Sequence, residues 1–175
     1  MNREIDRILE YKKIAIKYDL PLFSELRRNG YFTAPASSKY HGAYDGGLFD
    51  HSFEVMKWLL YYTEKLGLKW DNERSPYVIG LFHDICKCGL YKPSYDGIGY
   101  DYEDIIIPGH GDRSVIILQK YINLTNEEIA CIRWHMGPYE TDKRLWNNYS
   151  MALKVFPNIL YTHTADVYAS QIVGL

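Results

Sequence analysis

Six positions in this chain carry side chains able to share metal ions: His51, the adjacent His83 and Asp84, His110, His135 and Asp166. They fall 32, 26, 25 and 31 residues apart (51 to 83, 84 to 110, 110 to 135, 135 to 166). Each lies on a predicted helix or at its end. That is the pattern expected when successive helices of a bundle each send one ligand into a shared interior site. Imidazole nitrogens and carboxylates without a thiolate suit iron, manganese, cobalt or zinc, and suit magnesium less well. Taken singly, any one histidine fits an ordinary core or surface residue. The His83-Asp84 pair alone fits a buried histidine beside a capping aspartate, so the chemistry rests on the set. Adjacent helix residues point about 100° apart. Asp84 therefore reaches an ion shared with His83 by swinging round, with its second oxygen free for a second ion. Lys87, three residues after Asp84, stands one turn further along the same side, where its cation can hold an anionic group.

At 175 residues the chain is long enough to bury a real core, and we read 1–175 as a single domain. Apolar residues make up 47% and charged ones 24%, the profile of a globular protein. The net charge of −2 gives no global positive field, so nucleic acid could be held only in a local groove. No window approaches 18 uncharged apolar residues, and Met1-Asn2-Arg3-Glu4 opens no signal peptide; no membrane partner is expected. Cys86, Cys88 and Cys131 are too few for a disulfide framework, and a reducing cytoplasm is the simplest location. Cys86-Lys87-Cys88 also lacks the spacing of a structural zinc site.

The elements that must position these residues are mostly helices. Ile5, Ile8, Leu9, Ala15 and Ile16 predict an amphipathic helix over 3–18, and Asp19 is expected to cap a short second helix from near Pro21 to Gly30. From Tyr31 to Gly47 the periodicity stops. This long loop holds Lys39, His41, Tyr44 and Asp45, a mixture suited to a polar ligand, and loops of that length are often functional. A helix over 48–66 follows, with Val55, Leu59 and Leu66 expected in the core. The next, over 76–87, carries the His-Asp pair. Residues 91–104 read as a hairpin with an Asp96-Gly97 turn and tyrosines at 91, 95, 100 and 102, which we assign to packing. A helix from His110 to Ile122 should bury Val115, Ile116 and Leu118. Thr125-Asn126-Glu127-Glu128 is a capping box opening a helix that ends at His135. Residues 139–156 promise a short helix or two, and Pro157 begins the helix bearing His163 and Asp166. The fold class is all-α with one small β-hairpin.

The segments Gly46-Gly47-Leu48-Phe49-Asp50-His51-Ser52, Leu81-Phe82-His83-Asp84-Ile85-Cys86-Lys87 and Ala165-Asp166 resemble, in that order, the HD-domain superfamily of metal-dependent phosphohydrolases. The resemblance covers about residues 35–170, with 1–30 packed on it as N-terminal helices. The usual His-Asp-Ile-Gly-Lys run reads here with Cys86 in place of glycine, a change expected not to touch the metals. Ser37-Ser38-Lys39-Tyr40-His41 is similar to the corresponding loop of YhaM-type 3′–5′ exoribonucleases within that superfamily. The resemblance implies an HD-domain helical bundle with His51, His83, Asp84 and Asp166 on a first divalent ion. His110 and His135 match the extra histidines of two-metal members, in which Asp84 would bridge. It also implies Asp84 and Lys87 as catalytic residues, with Lys87 stabilising charge on phosphorus while metal-activated hydroxide attacks. Lys39, His41 and Lys87 are the expected substrate contacts, and His163 is expected behind the ligands.

The reaction so implied is hydrolysis of a phosphomonoester or phosphodiester of a nucleotide or short oligonucleotide. The partner is then a small phosphorylated substrate, with short single-stranded nucleic acid as the variant use. Three alternatives stand beside it: a 3′–5′ exonuclease, a di-iron oxygenase on the same fold, and a nucleotide sensor without turnover. An exonuclease needs an open groove with basic and aromatic residues. A sensor would ordinarily have lost ligands, and here all are present.

Overall fold

The N-terminal segment forms α1 (Arg3–Tyr18), followed by the short α2 (Phe23–Arg28), in a computed structural model that describes residues 3–20, 23–95, 97–102, 109–137 and 143–175. The expected apolar face is only partly the buried one: Ile5, Leu9 and Ile16 are exposed, and the helix packs through Arg7, Ile8 and Tyr11. Asp19 adopts a left-handed φ of 51° and closes α1, with Leu20 N–H donating to Ala15 C=O at 3.0 Å. It terminates the first helix, whereas the sequence suggested that it opens the second. Tyr11 of α1, with Tyr31, Phe32, Phe49 and Phe82, builds an aromatic cluster of ring spacings between 5.4 and 6.3 Å. Much of the tyrosine content near the N-terminus is thus core. The Tyr31 hydroxyl donates to the carbonyl of Leu81, which ties this cluster to the chain just before His83.

The loop from 31 to 46 is ordered by its own backbone. Gly46 N–H donates to Thr33 C=O at 2.7 Å, Ala36 N–H to Gly42 C=O at 2.9 Å and the Ser37 hydroxyl to His41 C=O at 2.8 Å. It leads into α3 (Gly47–Leu66) through Gly46, whose φ of 83° suits glycine. A Cβ on Gly47 would meet the Gly42 carbonyl oxygen at 1.9 Å, so the twin glycines are a packing requirement. Val55 and Leu59 are buried, but Leu66, in the last turn, is 57% exposed.

α4 (Ser75–Phe82) packs against α3, and a Cβ on Gly80 would strike Met56 of α3. The predicted single helix over 76–87 is broken. It stops at Phe82, and Ile85–Lys87 form a separate 3₁₀ turn. Strands β1 (Tyr91–Pro93) and β2 (Tyr100–Tyr102) pair antiparallel, Tyr91 opposite Tyr102, but Tyr95, expected to pack, is exposed beyond the end of β1. Asp96 of the expected turn lies outside the described residues. α5 (His110–Leu118) buries Val115 and Leu118, whereas Ile116 is 43% exposed. α6 (Asn126–Arg133) opens with the full capping box, both side chains engaged. Residues 138–142, within the segment left open by sequence, also lie outside the described residues. α7 (Trp146–Val155) and α8 (Asn158–Val167) follow, and α8 runs on into a π-helical turn over Tyr168–Val173.

A buried polar network sets the bundle. The Glu128 carboxylate accepts from Ser75 Oγ at 3.1 Å and from Arg74 Nε at 3.3 Å, while Asn158 Nδ2 donates to Glu127 at 2.8 Å. These residues stand at the N-termini of α4, α6 and α8, where carboxylates are favoured by the helix dipoles. The three starts are pinned together, and so the three C-terminal ends emerge side by side. His83, His135 and Asp166 sit at those ends. His51 comes from the second turn of α3 and His110 opens α5, so the five helices present their candidate ligands in one layer. Among the described residues, no helix is long and apolar enough to cross a membrane.

Candidate metal centre

Three histidines in that layer have one tautomer imposed on them. The Nδ1 of His51 lies 2.9 Å from the Leu175 carbonyl oxygen, that of His83 3.0 Å from Gly80 and that of His135 2.7 Å from Ile132. A carbonyl only accepts, so each Nδ1 carries the proton and donates it. In the neutral ring each Nε2 is then the atom with a lone pair, and all three rings are fully buried. The His51 and His83 Nε2 atoms approach to 3.3 Å. His51 Nε2 lies 3.1 Å from Asp166 Oδ1, and His83 Nε2 lies 3.6 Å from Asp84 Oδ2. His135 Nε2 is 3.6 Å from Asp84 Oδ1, too long for a hydrogen bond, and has no hydrogen-bond partner. Three lone pairs and two carboxylates converge with too few protons among them. The donor set therefore fits a divalent cation. Ligand atoms of His51, His83 and Asp84 lie within 4.8 Å of one another, as do those of His83, His135 and Asp166, and those of Asp84, Cys86 and His110.

The broken helix explains how adjacent His83 and Asp84 can serve one site. Asp84 has φ −111° and ψ 17°, so its carboxylate turns away from the helical direction and faces His83 on one oxygen and His135 on the other. Asp84 belongs both to the group with His51 and His83 and to the group with His110. In the 3₁₀ turn residues i and i+3 eclipse, which sets Lys87 Nζ 2.7 Å from Asp84 Oδ2. Lys87 is only 9% exposed. Burial alone would raise the Asp84 carboxyl, but Lys87 and His83 hold it well below its usual range; burial likewise opposes the Lys87 cation, and Asp84 more than restores it. Burial would also raise Asp166, and His51 reverses this. Burial lowers His83 to about 4 and lowers His110 as well; in His135 the same cost is overcome by Asp84 and Asp166, and its pKa rises.

A cleft of about 190 Å³ opens onto this centre, lined by Asp84, Lys87, His110 and Asp166 together with His41, His163 and Gln171. His41 comes from the ordered loop, its ring 5.2 Å from that of His51, and burial with the nearby His51 and Lys87 lowers its pKa to about 4. Lys39 stands apart: it is exposed beside the hairpin, near Gly99, and does not line the cleft. His163 donates through Nδ1 to the His135 carbonyl at 2.8 Å, so it lies behind the ligand layer while also facing the cleft. Two features were missed from sequence. Met136 after α6 and Val167 at the end of α8 complete the cleft wall, together with Ser170 and Gln171, which reach it because α8 continues as a π-helical turn. Arg7 grips Asp50, next to His51, through two 2.8 Å bonds, fixing the start of α3; a basic residue on the exposed-looking first helix gave no signal of this. Cys86, expected to be indifferent to the metals, has its Sγ 3.6 Å from His110 Nδ1, because the 3₁₀ turn points it at α5.

The HD domain family model matches residues 48–168 of this chain. No curated protein and no solved structure matches it. The matched span runs from the start of α3 past the end of α8 and so contains every one of the six candidate ligands, on a helical bundle with a single small hairpin among the described residues; the chain belongs to the HD-domain family of metal-dependent phosphohydrolases.

Proposed function

We propose that the protein hydrolyses a phosphate ester of a nucleotide or short oligonucleotide, with the phosphate seated in the cleft over Asp84. One observation carries this reading: a buried lysine, His110 and the carboxylates of Asp84 and Asp166 line the same small cleft, with the Nε2 atoms of His51, His83 and His135 packed against those carboxylates. His51, His83, Asp84 and Asp166 would hold a first divalent ion, and His110 and His135 a second one bridged by Asp84. Such ions, when bound, polarise phosphoryl oxygens and make water a nucleophile near neutral pH. The chain's own residues bind and orient. Lys87 spends one of its three donors on Asp84, leaving two for a phosphoryl oxygen in the cleft. Its positive charge is fixed before substrate arrives, so no reorganisation is needed as charge grows on phosphorus. His41, neutral at pH 7, can donate a ring N–H to the phosphate without adding charge. A cleft of about 190 Å³ admits a phosphate with part of a sugar and favours a terminal phosphate over the middle of a long strand.

The exonuclease variant is supported by two exposed aromatic rings, Tyr40 on the loop and Tyr95 on the hairpin, which offer stacking faces for successive bases. A phosphate- and nucleotide-release screen over mononucleotides, dinucleotides and short single-stranded RNA, run with manganese, cobalt, iron and zinc, decides between them. Release from mononucleotides supports the monoesterase form, and stepwise shortening of RNA supports the exonuclease form. A metal-replete protein inert on all of them contradicts the proposal.

A further inference from the structure

Cys86 occupies the position at which a thiol would complete the second ligand group. Its side chain is buried, and its Sγ, a ring nitrogen of His110 and a carboxylate oxygen of Asp84 all lie within 4.8 Å of one another. The Sγ to His110 Nδ1 separation is 3.6 Å. Zinc bonds of about 2.3 Å to sulfur and 2.0–2.1 Å to nitrogen, at a tetrahedral angle, place the two donor atoms about 3.6 Å apart. The side chain is already at ligand spacing. Its backbone is fixed there, since Cys86 N–H donates to Ser114 Oγ at 3.3 Å and Arg113 donates to Cys86 C=O at 3.0 Å, both from α5. A second sign of a cation at Asp84, the carboxylate this group shares, is the fully buried His135 Nε2, which has no hydrogen-bond partner and lies 3.6 Å from Asp84 Oδ1.

We infer that Cys86 is a metal ligand, giving the His110 position a sulfur, nitrogen and carboxylate donor set that selects zinc over manganese or magnesium. This rests on the metal-centre reading above and adds to it the thiolate and its consequence for metal choice. Binding exchanges the thiol proton for the metal–sulfur bond, so one proton is released to solvent for each ion bound there. A soft donor raises affinity for zinc and cobalt and does little for manganese or magnesium. The two positions are thereby made unequal: the first set holds only nitrogen and oxygen, and the second holds one sulfur.

X-ray absorption of the zinc-loaded full chain tests this, with Cys86→Ser, Cys86→Ala and Cys86→Gly beside the wild type. The expected result is one sulfur scatterer at about 2.3 Å, shared over the bound zinc, that vanishes in all three variants. Cys88 and Cys131 remain in each variant as internal controls. Cobalt-loaded wild type should show a near-ultraviolet thiolate-to-cobalt charge-transfer band that the variants lack, and the variants should lose tenfold or more in zinc affinity at one position. A shell of nitrogen and oxygen only in the wild type overturns the inference, leaving the thiol as a hydrogen-bond donor to His110, while the metal-centre reading stands. A wild type that retains no ion overturns both.

Discussion

Lys87 is the residue at which structure and chemistry make the sharpest demand. Its ammonium lies 2.7 Å from Asp84 Oδ2, and the two side chains are 11% and 5% exposed. Replacing it by methionine preserves the stem and removes the cation. In the metal-free protein this leaves the buried Asp84 carboxylate without its ammonium partner, and breaking a buried pair costs about 3–5 kcal/mol of stability. Bound metal supplies the missing positive charge, so the metal-loaded variant should lose far less. Turnover should respond differently, because the donors aimed into the cleft are lost whatever the metal content. One such electrostatic donor is worth about 10²-fold or more in kcat, or roughly 2.7 kcal/mol on the barrier. The assays are urea unfolding with and without metal, metal content, and kcat on the best substrate. A lysine that merely caps a helix end would change stability by about 0.3–1 kcal/mol and leave kcat alone. Near-wild-type kcat in a folded, metal-loaded Lys87→Met would refute the reasoning.

Further outcomes follow from the same geometry. His41→Ala should raise KM for a phosphorylated substrate, whereas Lys39→Ala should do so only if the 37–44 loop closes further on binding; unchanged kinetics in both would remove the loop from substrate recognition. Arg7→Ala should lower stability by about 1–3 kcal/mol in urea unfolding, because it strips two charge-assisted bonds from Asp50 at the start of α3. Metal-free protein should lose stability as pH falls from about 6.5 to about 4. His83 and His41 titrate near 4 when folded and near 6.5 when unfolded, so the unfolded chain takes up protons first. His110 acts in the same direction and His135 in the opposite one. The lowered Asp84 and Asp166 extend the loss below pH 4. Thermal unfolding across that range in chelator measures it, and a flat profile would contradict these environments.

The helices were legible because their apolar spacing and the Thr125 capping box are local signals, and the ligand order was legible because residue types survive any error in boundaries. What sequence could not supply is long-range. The break after Phe82 depends on Tyr31 holding Leu81 and on the 3₁₀ turn packing against α5, contacts 28 to 50 residues away in the chain. That break moved Lys87 from a helical neighbour of the pair to the ion partner of Asp84, and it brought Cys86 to His110. Leu66 and Ile116 were misplaced for a related reason: at helix ends and on narrow helices, one residue of rotation exchanges core for solvent. The pinning of three helix starts by Glu127, Glu128 and Asn158 likewise has no signature beyond the capping box itself.

The central claim is that the buried His and Asp layer holds metal. Elemental analysis of the purified chain after metal reconstitution and gel filtration, compared with Asp84→Ala, tests it most directly. The account predicts up to two transition-metal ions per chain in the wild type and a larger loss in Asp84→Ala than in any other single ligand variant, since that carboxylate faces both sides of the centre. Retention of full metal content by Asp84→Ala would contradict the bridging role. A wild type that holds no transition metal would contradict the account itself.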